Sequence, residues 1–221
     1  MAEIVTFIGH HDSGKTTLVS QVVSCLKSFG HKVAVIKSSN EAGVLFDREG
    51  ADTYRHREAG ADAVLFVGPD QMVLQTGPSE HSIITLAHRY FADVDIVIGE
   101  GFKYARKVSK IEVRKNKEQD LRQEVHGVIA VATDLDVSGD YVFRLSEARE
   151  IALFLEKRFL RDKDRRPERA SLLVDGRKVP LKEFVQECLA GTVAGFVDAL
   201  KLTDGAEEIE MRIRLSRGKD K

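Results

Sequence analysis

The segment Gly9-His10-His11-Asp12-Ser13-Gly14-Lys15-Thr16 fits the pattern G-x-x-x-x-G-K-[ST] without a mismatch, and that spacing suits a phosphate. Glycine lets the backbone approach an anion where a side chain would hold it away. In such a loop Lys15 reaches the β- and γ-phosphates of a nucleotide and the Thr16 hydroxyl ligates Mg²⁺, while Gly9, Asp12, Ser13 and Gly14 complete the cradle. His10 and His11 are adjacent and lack a third partner at metal-ligand spacing, so they stay unassigned. Two carboxylates follow apolar runs further along. Glu100 ends the run in Asp95-Ile-Val-Ile-Gly-Glu100, where it can hold the Mg²⁺ shell or orient an attacking water. Asp134 ends Val128-Ile-Ala-Val-Ala-Thr-Asp134. A carboxylate there can accept from the N1–H and N2–H₂ of guanine together, which favours GTP over ATP, because adenine would leave it unpaired. A turn aspartate capping the next segment is the competing reading.

Groups so far apart in sequence meet only if a sheet carries them. Residues 1–160 alternate short apolar runs with amphipathic stretches, which implies an α/β domain with a mostly parallel sheet flanked by helices. Ile4 to Ile8 reads as a strand feeding the loop. Leu18, Val22, Cys25, Leu26 and Phe29 recur at helical spacing behind it, and Gly30 ends that helix. Strands are expected at 33–36, 63–67, 72–75, 95–98 and 128–131, and helices at 51–59, 79–90 and 146–159, the last capped by Ser146.

The composition narrows the class. The 221 residues are 43% hydrophobic and 31% charged, with a net charge of −1. Such a chain is globular and has no overall field to draw it onto nucleic acid or an anionic membrane. The apolar runs fall short of the roughly 20 residues a membrane helix needs, and Met1-Ala2-Glu3 does not begin like a signal peptide. The expectation is a cytoplasmic protein in which Cys25 and Cys188 are buried, inert thiols. Within this balance, Lys103 to Lys117 holds seven basic residues against one acidic, Glu112, a net of +6. Either it is a solvated edge or it is a patch beside the nucleotide site, with Lys103 facing an anionic client.

Residues 161–169 combine charge with a proline and have nothing to bury, so they read as a linker. Beyond it a ββαβ module is expected over 170–216, before a tail at 217–221. Its elements are a hairpin around Asp175-Gly176, a helix over 182–200 and an alternating strand over 208–215. Gly191 and Gly195 in that helix suggest close packing.

The stretches FIGHHDSGKTTL, VAVIKSSN (33–40), FDREGADTYRHREAGADAV (46–64) and DIVIGEGFK (95–103) together resemble the molybdopterin-guanine dinucleotide biosynthesis protein B family. The resemblance covers residues 3–135. It implies a P-loop GTP-binding fold, usually a homodimer, that assists the guanylyltransferase joining GMP to molybdopterin in the molybdenum or tungsten cofactor. By that resemblance Gly14, Lys15, Thr16 and Thr17 bind phosphate and Mg²⁺, and Glu100 is the acidic residue after the strand. Asp47, Gly50 and Asp52 match a D-x-x-G-x-D element. One departure is plain: Ser38, Ser39 and Asn40 follow Lys37 where the family often has histidine.

Two other classes compete. A nucleotide-dependent metallochaperone for nickel enzymes would need a Cys or His cluster, and neither cysteine has a suitably spaced partner. A small-molecule kinase or ATP-dependent synthetase would need an adenine site. No arginine finger or water-positioning glutamine is identifiable, so hydrolysis of GTP is expected to be slow.

Overall fold

The computed structural model describes residues 2–44, 46–79, 81–117, 120–122, 124–161, 169–175, 177–201 and 205–215. It divides into two compact units, Met1–Arg165 and Arg166–Lys221.

The first unit is built on a six-stranded sheet. Its strands are β1 (Glu3–Ile8), β2 (Val33–Lys37), β5 (Ile96–Glu100), β6 (Ser109–Val113), β7 (Val128–Ala132) and β8 (Val142–Phe143), in the order β2-β5-β1-β6-β7-β8. Every neighbouring pair is parallel. The carboxyl ends of the strands therefore share one edge, and the register sets Lys37 and Phe7 beside Glu100 and Val113 beside Ala132.

Side chains alternate faces along each strand, so the central strands feed two cores. Val5, Phe7, Ile96, Ile98, Ile111 and Val113 pack with Leu18, Val22 and Leu26 of helix α1 (Lys15–Ser28) and with Ile151 and Leu155 of helix α4 (Ala148–Leu155). On the other face Val97 and Ala34 meet Ala87 of helix α3 (Ile83–Tyr90). The Ser82 hydroxyl accepts from the Thr85 N–H and caps α3. Helix α4 departs from expectation: Ser146 does not cap it, the helix starts at Ala148, and it continues into a wider π-type turn over Glu156–Leu160. Helix α2 (Asp52–Glu58) and the antiparallel hairpin of β3 (Ala63–Val67) and β4 (Met72–Thr76) stand apart from the main sheet.

Strand β6 corrects the reading of the basic segment. Lys110, Glu112 and Arg114 are buried, while Ile111 and Val113 line the opposite core. The charged face lies under residues 120–122 and 124–127. Lys110 Nζ donates to the carbonyls of Ala105, Val108 and His126 at 2.6, 3.1 and 3.0 Å. Arg114 pairs with Asp120 at 2.9 Å. Glu112 Oε1 accepts from the Leu121 N–H at 2.9 Å. The segment is thus neither a solvated edge nor one continuous patch. It is a central strand with charged residues beyond both of its ends.

The second unit contains β9 (Leu172–Val174) paired antiparallel with β10 (Arg177–Val179), and helix α5 (Glu183–Asp198). Gly176 of the expected hairpin, residues 162–168 of the expected linker and the 217–221 tail lie outside the described residues. Three expectations change. Residues 208–215 are exposed and form no strand. Cys188 is exposed, while Cys25 is partly buried. A Cβ on Gly191 or Gly195 would meet nothing within 4 Å, so these glycines do not serve close packing in the described structure.

Burial raises the Glu112 pKa above the ordinary glutamate range, opposed by the Leu121 N–H and by Arg114. A raised folded-state pKa favours the protonated carboxyl, so Glu112 contributes stability at low pH that is lost as pH rises through that pKa. Replacement by Gln keeps an acceptor for Leu121 and removes the titration. The melting temperature of Glu112→Gln, measured against wild type from about pH 4 to about pH 7, is expected to gain on wild type as pH rises.

Candidate functional site

The loop between β1 and α1 sits where the carboxyl ends of β5, β1 and β6 meet. Gly14 is the residue before the helix, at φ 90°, a left-handed conformation that a residue with a Cβ resists. Having no side chain, it offers no cap, so the first N–H groups of α1 stay available to an external acceptor at the positive end of the helix. Gly9 is required by space. A Cβ there would collide with the Val113 carbonyl oxygen of β6 and approach Ser13 Oγ to 2.8 Å.

Lys15 folds over the loop. Its Nζ donates to the His10 carbonyl at 2.5 Å and approaches Ser13 Oγ at 3.4 Å. Burial lowers its pKa, with Glu100 and Asp12 pulling the other way. The loop aspartate Asp12 has φ 56° and pairs with His11 Nδ1 at 2.7 Å, both side chains being almost fully exposed.

The decisive contact crosses from α1 to the sheet. Thr16 Oγ1 donates to Glu100 Oε1 at 2.5 Å. Lys37 Nζ, from the end of β2, lies 3.4 Å from the same oxygen. Glu100 is buried at the end of β5, so its carboxylate is held by one hydroxyl and one ammonium beside the loop. In the sequence Lys37 stands out only as the residue before Ser38, Ser39 and Asn40. Its role in the cluster follows from the β2–β5 register, which sequence spacing does not reveal.

The remaining candidates are distributed differently. Asp134 follows β7 on the same edge of the sheet, but its Oδ1 accepts from the Leu145 N–H at 3.0 Å and its carbonyl accepts from Arg144 Nη1 at 2.6 Å. It therefore caps a loop turn, leaving Oδ2 for any ligand. Asp47 Oδ1 accepts from the Arg48 N–H at 2.8 Å, while Oδ2 is buried without a partner among the described residues. Asp52 is exposed, and its closest cation is Arg55 at 3.9 Å. Among the described residues, neither bonds to the loop. Thr17 lies on the exposed first turn of α1.

Lys103 is not at the phosphate loop. It pairs with Glu124 at 3.2 Å and, with Tyr104, Arg106, Lys107 and His126, lines a cavity of about 780 Å³ at the edge where β6 and β7 begin. Among the described residues no group of three or more His, Cys, Asp or Glu could hold a metal ion, and no helix is long and apolar enough to cross a membrane.

The family model of molybdopterin guanine dinucleotide synthesis protein B matches residues 4–134, from the first strand through Asp134. The chain belongs to this family. A protein of Methanocaldococcus jannaschii assigned as a molybdopterin-guanine dinucleotide biosynthesis adapter is 27% identical over 236 residues, covering 97% of this chain and 98% of its own. The Haemophilus influenzae adapter protein is 30% identical over 151 residues, covering 67% of this chain and 84% of its own. A crystal structure of molybdopterin-guanine biosynthesis protein B has a TM-score of 0.59 at 30% identity, over 70% of this chain and 98% of that one. The Bacillus subtilis family member has the same fold, with a TM-score of 0.58 at 24% identity over 70% of this chain and 97% of its own. The archaeal match extends through the second unit of this chain.

The crowding at Gly9 gives a direct test of how the loop is held. Gly9→Ala is expected to cost about 2 kcal/mol or more, read as a lowered midpoint in urea unfolding, because either the loop or the Val113 carbonyl must move.

Proposed function

We propose that the chain is a GTP-binding adapter in the assembly of the guanine dinucleotide form of the molybdenum or tungsten cofactor. In this reading it assists the guanylyltransferase that joins GMP to molybdopterin, and it hydrolyses GTP slowly. Family membership supplies the biosynthetic context. The nucleotide reading is carried by the Thr16–Glu100 contact at 2.5 Å beside a phosphate loop.

A hydroxyl and a carboxylate brought together next to a cluster of helix N–H groups are hard oxygen donors of the kind Mg²⁺ takes alongside a nucleotide phosphate. The residues present therefore fit the ion. When bound, Mg²⁺ neutralises charge on the β- and γ-phosphates. Lys15 would exchange its contact with the His10 carbonyl for a phosphate oxygen, and Lys37 would hold the Glu100 side chain in place. Asp134 would read guanine through its uncommitted Oδ2. Molybdopterin, as the client of the transferase, belongs to this reading as a ligand of the complex.

A homodimer is part of the same proposal. Leu65, Phe66, Val67, Met72 and Leu74 of the β3–β4 hairpin are exposed, spread over both of its faces. A two-stranded sheet is marginal by itself in water, and a large exposed apolar surface marks an interaction site. A second copy of the hairpin would cover it.

Titration calorimetry with Mg²⁺ and GTP or ATP tests the nucleotide assignment. Wild type should bind GTP, Lys15→Ala should lose about 10-fold or more in affinity, and Asp134→Asn should weaken GTP without affecting ATP. Absence of GTP binding by the wild type would remove this function. For the assembly, sedimentation velocity is expected to show a dimer that Phe66→Asp shifts toward monomer.

A further inference from the structure

Strand β6 brings another cation to the loop. Lys115 lies two residues beyond the strand, and a Cβ built on Gly14 would be 3.5 Å from its Cε and 3.9 Å from its Nζ. The ammonium therefore rests against the glycine that opens α1. Lys115 is exposed, and among the described residues no carboxylate pairs with it. Glu100, the buried carboxylate of the cluster, is already engaged by Thr16 and Lys37. Lys15, Lys115 and the positive end of α1 thus converge on one loop, where the carboxylates are Glu100, already engaged, and the exposed Asp12, which faces His11. Such a concentration of positive charge is stabilised by an anion placed among its members.

Sheet order indicates which part of a nucleotide Lys115 would meet. Glu100 lies on one flank of β1, at the end of β5. Asp134 lies on the other flank, past β6, at the end of β7. A nucleotide with its terminal phosphate toward Glu100 and its base toward Asp134 must pass the end of β6 with the portion between them. We infer that Lys115 binds the α- and β-phosphate oxygens of the guanine nucleotide, as a second ammonium on the side of the loop away from Glu100. This assignment rests on the nucleotide reading and adds a ligand that the G-x-x-x-x-G-K-[ST] pattern does not contain.

Calorimetry on wild type, Lys115→Ala and Lys115→Arg, with Mg²⁺ and either GTP or GDP, tests it. Lys115→Ala should lose about tenfold in affinity for GTP and for GDP alike, as expected for one charge-assisted hydrogen bond. Lys115→Arg should stay near wild type, and the melting temperatures of the three unliganded proteins should coincide. Undiminished binding by Lys115→Ala overturns the proposal. A loss confined to GTP also overturns it, because the ammonium would then belong to the terminal phosphate. Failure of the wild type to bind either nucleotide would instead overturn the nucleotide reading itself, a result separable from the other two.

Discussion

The site depends on strand β1 being enclosed, with β5 and β6 running parallel on either side. A buried parallel strand can release its chain only at its end, and there the loop must turn at once into a helix. Parallel neighbours end at the same edge, so whatever follows β5 and β6 arrives beside that turn without further arrangement. Glu100 comes from one neighbour, the Val113 carbonyl and Lys115 from the other, and Lys37 from one strand further out. Helix α1 closes the arrangement by packing Leu18, Val22 and Leu26 on the sheet. Its first turn, with Thr16, is thereby held over Glu100.

Strand β6 shows what such a position demands of a sequence. A central strand covered on both faces would ordinarily be apolar throughout. This one carries Lys110, Glu112 and Arg114 on one face, and each is answered by Asp120, Leu121 or nearby carbonyls. The satisfaction is incomplete, since Glu112 Oε2 and Arg114 Nε have no partner among the described residues. Buried charge of this kind is weak evidence for stability. Its more evident effect is geometric, because Leu121 and Asp120 are fixed against β6 just beyond the residues that meet the phosphate loop.

The loop, its strand and its helix were legible because their signal is local: one unbroken motif between an apolar run and a helical repeat. Glu100 was legible for the same reason. Strand β6 was hidden by its charges. The alternation of Lys110, Ile111, Glu112, Val113 and Arg114 has the period of a strand, but seven basic residues in the neighbourhood suggested solvent. Residues 208–215 show the converse error. Ile209, Met211, Ile213 and Leu215 alternate as a strand should, yet alternation does not provide a neighbour to pair with, and none forms there. Lys37 was beyond sequence reasoning, since its place follows from strand register, and within the basic segment only register singles out Lys115 as the residue beside the loop. The position of Asp134 after an apolar run is legible in the sequence, but its bond to the Leu145 N–H is a tertiary detail. Gly191 and Gly195 suggested a tight contact that the described structure does not contain.

The carbonyl cage around Lys110 has an experimental use apart from the phosphate loop. With its Nζ held by Ala105, Val108 and His126, this amine is shielded from water, and burial lowers its pKa. An acylating reagent would find the exposed lysines at once but would reach Lys110 only in molecules in which the Ala105, Val108 and His126 carbonyls had released it. The extent of labelling at this residue therefore counts excursions from the native state that leave the rest of the surface chemistry unchanged.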